Sequence, residues 1–185
     1  MIPYDQHWTL FLDRDGVLNH RLPGAYVRHW GEWQWEAGVL DVLPALTARF
    51  GRTVVVTNQQ GIGKGLMSEA DLTVLHQRML ARVAAAGARI DGVYHCPDLA
   101  TVAHHCRKPH PALAQWAQRD FPAIDFARSV MVGDSRTDLQ FGRGLGMRTV
   151  LIESNPEEVA ALREGEADER WASLRAWAQS LVGKD

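Results

Sequence analysis

The chain has 185 residues, with 20 Lys and Arg against 22 Asp and Glu for a net charge of −2. That length suits one domain with a sizeable core, and the near-neutral balance argues against a nucleic-acid or membrane-surface partner. No uncharged apolar run approaches the ~20 residues of a membrane helix, and the first ten residues lack a basic region followed by a long apolar one. The expectation is a cytoplasmic protein whose two cysteines, Cys96 and Cys106, stay reduced rather than form a disulfide. No surplus amphipathic surface is visible, so a monomer is expected.

Thr9-Leu10-Phe11-Leu12 reads as a buried parallel strand, and it ends in Asp13-Arg14-Asp15-Gly16. Two carboxylates two residues apart beyond a buried strand are costly unless something neutralises them. A hard cation such as Mg²⁺ would do so. The spacing also divides labour: Asp13 could attack phosphorus, while Asp15 protonates the leaving oxygen and later activates water. Gly16 lets the chain turn sharply. Alone, such a pair is equally a polar turn after a strand. It gains force if a hydroxyl, a lysine and a later acidic pair follow, and all three do.

Residues 19–36 read as a flap. Leu22-Pro23-Gly24-Ala25-Tyr26 is turn-like, and the alternation from Glu32 to Glu36 around Trp33 and Trp35 predicts a short β-structure with one aromatic face. That face either stacks on a substrate or, more commonly, packs the flap onto the body. Residues 38–50 have helical spacing, with Gly51 as a plausible cap. Thr53-Val54-Val55-Val56 is a second buried strand, ending at Thr57-Asn58-Gln59-Gln60. The Thr57 hydroxyl and the backbone N–H groups beyond it could hold phosphate oxygens, or cap a helix. Ile62-Gly63-Lys64-Gly65 is not a nucleotide-binding loop, because Lys64 precedes Gly and position 58 is Asn.

Ser68 opens a helix running to about residue 86. Residues 90–95 form a third strand, followed by a loop over 96–106 and then Arg107-Lys108-Pro109. Pro111 starts a helix to about residue 121. Ser129-Val130-Met131-Val132-Gly133 is a fourth strand, ending at Asp134-Ser135-Arg136-Thr137-Asp138. A helix to about 145 and a strand over 148–152 follow. The remainder is helical, with an extended piece near Arg170-Trp171. The alternation predicts an α/β fold: a Rossmann-like parallel sheet with helices on both faces. Ligands bind such sheets at strand carboxyl ends, where Asp13, Thr57 and Asp134 all fall.

Together these pieces resemble the haloacid dehalogenase superfamily. Asp13-x-Asp15-Gly16 matches its first motif, Thr57-Asn58 the second, Lys108 the third, and Gly133-Asp134-x-x-x-Asp138 the fourth. The resemblance implies a Mg²⁺-dependent phosphatase acting on a small phosphorylated metabolite. Mg²⁺ is held by Asp13, Asp134 and the backbone carbonyl of Asp15. Asp13 is the nucleophile, Asp15 the acid and base, Thr57 and Lys108 stabilise the transferring oxygens, and Asp138 orients Lys108 or a metal-bound water. Asp at position 15 implies a phosphatase rather than an ion pump or a dehalogenase. The gaps of about 40 residues from Asp15 to Thr57 and about 50 from Thr57 to Lys108 are filled by flap, helices and loops. No separate cap domain of ~50 residues or more is expected.

A narrower resemblance rests on Leu12-Asp13-Arg14-Asp15-Gly16, Thr57-Asn58-Gln59-Gln60-Gly61 and Cys106-Arg107-Lys108-Pro109. These are similar to the D-glycero-D-manno-heptose 1,7-bisphosphate 7-phosphatases and the histidinol-phosphate phosphatases. In that family a Cys/His loop before Arg-Lys-Pro binds structural Zn²⁺. The corresponding residues are Cys96, Asp98, His104 and Cys106, with two ligand types exchanged and His105 as an alternative. Zinc is expected on ligand chemistry, against a metal-free loop packed by its own side chains. Arg107 matches a substrate-recognition arginine, and Arg21, Asn58 and Ser135 complete the expected substrate-binding set. The segment 19–26 offers His20 and Arg21 where the heptose phosphatases carry an acid, which suits an anionic group. The expected substrate is the heptose bisphosphate or a related sugar phosphate. Alternatives are histidinol phosphate, a nucleotide or nucleic-acid end, and a non-catalytic phospho-ligand-binding role.

Overall fold

The computed structural model describes residues 4–103 and 105–182. Six strands form one sheet: β1 (Thr9–Leu12), β2 (Arg52–Asn58), β3 (Gly92–Cys96), β4 (Ser129–Gly133), β5 (Arg148–Ile152) and β6 (Glu169–Trp171). All pairings are parallel, in the order β3-β2-β1-β4-β5-β6. Among the described residues the helices are α1 (Val39–Arg49), α2 (Glu69–Ala85), α3 (Ala112–Asp120), α4 (Arg136–Gly144), α5 (Pro156–Ala161) and α6 (Leu174–Val182). None is long and apolar enough to cross a membrane.

The alternating side chains of the central strands feed two cores. Leu10 and Leu12 of β1 join Val55, Val130 and Val132 on the face covered by Leu43, Leu46 and Trp177. Phe11 points the other way, with Val54, Val56 and Met131, against Leu113, Ala117 and Phe141. Burial on both faces explains why these strands read as unbroken apolar runs.

The chain leaves β1 with β2 on one side and β4 on the other, and the connections then run in opposite directions. This is the topological switch point of an open parallel sheet, where a crevice opens at the strand carboxyl ends. Leu12 lies opposite Val55 and Val132. Asp13 continues the line, its N–H donating to the Val132 carbonyl at 2.9 Å.

The flap departs from the expected β-structure. Residues Trp30–Glu32 form a 3-10 turn, and pairing is limited to isolated bridges of Asn19 with Asp15 and Trp35. Glu32 folds back to accept both the Arg28 N–H and its guanidinium, each at 2.8 Å, and so coils the segment. The tryptophans pack inward. Trp30 stacks on Trp33 and Trp35 meets Trp33 edge-on; Trp33 belongs to the core that α1 covers, and Trp30 and Trp35 are partly buried against it.

Candidate active site

Each strand end delivers one part of the site. β1 brings Asp13, β2 brings Thr57, and β4 brings Asp134 to a cleft of about 380 Å³. Lys108 enters from the loop after β3. Asn58 holds that loop: its Oδ1 accepts the Lys108 N–H at 2.9 Å, and its Nδ2 faces the Lys108 carbonyl at 3.4 Å. Asn58 therefore serves the lysine's backbone while also lining the cleft.

Lys108 is buried, and its ammonium is fully engaged. It contacts Asp13 Oδ1 at 2.9 Å, Asp138 Oδ1 at 2.6 Å and the Val56 carbonyl at 2.8 Å. Burial alone would lower its pKa, but Asp13 and Asp138 raise it, so it stays charged. Asp138 is fixed in turn by Ser135, whose N–H and hydroxyl donate to Oδ2 at 3.1 and 2.6 Å. The Ser135 N–H bond to Asp138 is also one half of the capping box of α4. Ser135 is thus committed to Asp138, although it also lines the cleft.

Asp13, Asp134 and Asp138 bring carboxylate oxygens within 4.8 Å of one another. Burial pushes Asp13 up to about 7; Lys108 opposes the shift, and Asp138 and Asp15 add to it. Burial pushes Asp134 up to about 8, with Asp13 and Asp138 adding and Arg21 and Lys108 opposing. Among the described residues the buried Asp134 Oδ2 has no hydrogen-bond partner. Its nearest cation is Arg21, whose half-exposed guanidinium lies 3.9 Å away. A cluster short of positive charge, with an unpartnered carboxylate oxygen, has the donor set of a hard divalent cation. Gly16, at φ +84°, runs against this carboxylate so closely that any Cβ would collide with Asp134.

Asp15 is held differently. Its Oδ1 accepts from Arg14 Nη2 and Asn19 Nδ2, both at 2.9 Å, and its Oδ2 accepts from Gln59 Nε2 at 2.8 Å. Burial would raise its pKa, but the Arg14 charge and these donors outweigh it and hold the carboxyl below the usual range. The fully buried Arg14 also reaches His76 Nε2 on α2 at 3.2 Å. The sequence reading missed Arg14, Asn19, Gln59 and His76 as parts of the site. The burial of Arg14 was hidden because a charge between two acids in a turn looks solvated.

At the mouth of the cleft stand Arg21, Tyr26, Lys64 and Arg107, with Lys64 5.2 Å from the centre of the Tyr26 ring. Lys64 carried no signal once the nucleotide-loop reading was set aside. The flap side chains lining the cleft come from residues 21–27 and include Tyr26 rather than a tryptophan.

The 96–106 loop departs from expectation. Cys96 and Cys106 are joined as a disulfide, their Cα atoms 5.5 Å apart. The returning chain brings Cys106 beside the end of β3, within ordinary bridging range. Asp98 Oδ2 accepts the Cys106 N–H at 3.0 Å and lies 3.7 and 3.2 Å from the two sulfurs. Sulfurs bonded to each other offer no thiolate, so in this state the loop does not suit zinc. His104 lies outside the described residues.

Residues 105–175 match the HAD-hydrolase-like family model. The D-glycero-alpha-D-manno-heptose-1,7-bisphosphate 7-phosphatase of Mycobacterium bovis is 42% identical over 139 residues, 75% of this chain and 73% of that protein. The chain belongs to the haloacid dehalogenase-like phosphatases. A second relative of this phosphatase family, the D-glycero-beta-D-manno-heptose-1,7-bisphosphate 7-phosphatase of Salmonella typhi, is 35% identical over 173 residues, 86% of this chain and 87% of its own. Among solved phosphatase structures, the D,D-heptose 1,7-bisphosphate phosphatase of B. bronchiseptica, complexed with magnesium and phosphate, superposes with a TM-score of 0.87. It is 30% identical, and the match covers 96% of this chain and 99% of that one.

Proposed function

We propose that this phosphatase removes the 7-phosphate of D-glycero-D-manno-heptose 1,7-bisphosphate or a closely related sugar phosphate. One observation carries the reading: a buried Asp13–Lys108–Asp138 network opens into a cleft whose mouth is cationic, with Arg21, Lys64 and Arg107. A bisphosphate presents one phosphate to the network and a second to such a rim. The names of the relatives support this choice of sugar.

Asp13, Asp134 and the backbone carbonyl of Asp15 would hold Mg²⁺. When bound, Mg²⁺ supplies charge neutralisation for the carboxylates and for the phosphoryl oxygens. Asp13 attacks phosphorus and forms an aspartyl-phosphate, while Asp15, ionised in the free site, takes the proton carried by the phosphomonoester monoanion and passes it to the sugar oxygen as that leaves. The Thr57 hydroxyl and backbone N–H groups stabilise the equatorial oxygens by hydrogen bonds, and the positive charge of Lys108, whose own N–H groups are taken, stabilises them electrostatically. Asp15 then takes a proton from the water that attacks the acyl-phosphate, releasing phosphate and restoring Asp13. Asp138 keeps Lys108 charged and aimed. Arg21, Asn58, Arg107 and Ser135 form the substrate-side wall.

For the loop, we propose zinc only in the reduced state. Cys96, Asp98 and Cys106 each offer a donor within 4.8 Å of the others, and among the described residues the buried Nδ1 of His105 has no hydrogen-bond partner. His104 or His105 would complete four ligands. Zinc and the disulfide exclude each other, so zinc content should be one per chain in reduced protein and fall to none as free thiols disappear. We take residues 1–185 as one phosphatase domain, monomeric and cytoplasmic.

The function is tested by phosphate release with Mg²⁺ from the α and β heptose 1,7-bisphosphates, histidinol phosphate and a nucleoside monophosphate. A preference for a heptose bisphosphate is expected, and Asp13→Asn should abolish release from every substrate. Preference for histidinol phosphate would replace the substrate assignment. Release that survives in Asp13→Asn would remove Asp13 as nucleophile, and binding without turnover would leave a phospho-ligand-binding role.

A further inference from the structure

Gln59 follows directly on β2 and is 1% exposed. Its backbone N–H donates to the Cys96 carbonyl at 2.7 Å, which fixes where the side chain starts. Its amide nitrogen then lies 2.8 Å from Asp15 Oδ2 and 2.9 Å from Thr57 Oγ1. An ionised carboxylate only accepts, so it must face the amide's NH₂ and not its oxygen. That NH₂ carries two hydrogens, one for each oxygen.

The two oxygens of Asp15 are not equivalent. Oδ1 already takes Arg14 and Asn19, which matches the two lone pairs of a carboxylate oxygen. Among the described residues Oδ2 takes only Gln59, which leaves one lone pair free. Oδ2 is therefore the oxygen with room to carry a transferable proton, and Gln59 sets its direction. Without that contact the carboxylate is held through Oδ1 alone and can rotate about its Cβ–Cγ bond. Thr57 Oγ1, in accepting from Gln59, is left to donate its own hydrogen elsewhere.

We infer that Gln59 is a positioning residue for the acid step: it aims Asp15 Oδ2 at the leaving oxygen. The inference rests on Asp15 being the acid, as in the proposed function. A merely structural Gln59, filling a buried polar gap, would slow all substrates alike. A residue that aims the acid matters most when the leaving group needs a proton. A sugar alkoxide needs one, and p-nitrophenolate does not.

The test compares kcat/KM for heptose 1,7-bisphosphate and for p-nitrophenyl phosphate, since kcat/KM reports the steps up to the aspartyl-phosphate. Wild type is run beside Asp15→Asn and the near-isosteric Gln59→Met. The expected result is a loss of about 10²-fold on the sugar phosphate in Gln59→Met, the lower end of general-acid effects. The loss on p-nitrophenyl phosphate should be at least about tenfold smaller, as it should be in Asp15→Asn. Equal losses on both substrates, or no loss, in Gln59→Met overturn the inference while leaving-group dependence in Asp15→Asn keeps Asp15 as the acid. No leaving-group dependence in either variant overturns both. Gln59→Glu replaces the methionine variant if the latter does not fold, because it keeps size and polarity but sets an acceptor against Asp15.

Discussion

His76 illustrates how one buried side chain is tuned by its neighbours. Burial, the Arg14 charge and His95 lower its pKa to about 3, with only Asp15 opposing. A neutral imidazole is what Arg14 needs, because Nε2 must accept from the guanidinium at 3.2 Å. The folded pKa lies below the unfolded value near 6.5, so between about pH 3 and 6.5 the unfolded chain binds the extra proton. Stability from this group is therefore intact above pH 6.5 and declines as pH falls. The expected loss is about 2 kcal/mol by about pH 5. Denaturation midpoints of wild type against His76→Gln should converge by that amount on going from pH 7 to 5. Parallel midpoints would mean His76 is protonated in the fold. None of this was legible in the sequence, where His76 is one polar residue in a helical pattern.

At the scale of elements, α2 was legible with its cap. Ser68 accepts the Asp71 N–H at 3.1 Å, and Asp71 accepts the Ser68 N–H at 2.9 Å. Local sequence specifies such an end, because both partners lie within four residues. Ser68→Ala should cost about 1 kcal/mol. For a chain of this size that lowers Tm by roughly 2–4 °C, readable by calorimetry. The flap was not legible in the same way. Its alternation matched a strand, but the Arg28–Glu32 pair coils it and the tryptophans pack on the core. Period-two patterning describes which side chains share a face only if the backbone is extended.

At the scale of the whole molecule, the carboxylates that meet in the cleft come from positions 13, 134 and 138. Their crowding makes metal binding and proton release one event. With Asp13 at about 7 and Asp134 at about 8, part of the cluster is protonated at pH 7 without a cation. Mg²⁺ requires the ionised forms, so its affinity should strengthen as pH rises to about 8 and weaken below it. Titration calorimetry in buffers of different ionisation enthalpy should show proton release on Mg²⁺ binding at pH 7, and less at pH 9. A buffer-independent heat would mean the cluster is already ionised. Saturating Mg²⁺ should also raise Tm, since the unfolded chain has no assembled site.

The sequence by itself determined the α/β order, the two-faced burial of β1, β2 and β4, and the strand-end positions of Asp13, Thr57 and Asp134. Those features follow from periodicity and from chemistry that falls within a few residues. The tertiary structure decided what depends on contacts between distant segments. It buried Arg14 against His76, set Gln59 against Asp15, and aimed Asn58 at the Lys108 backbone. A side chain's partner across 40 or more residues is chosen by how strands register and helices pack, and no local pattern encodes that choice.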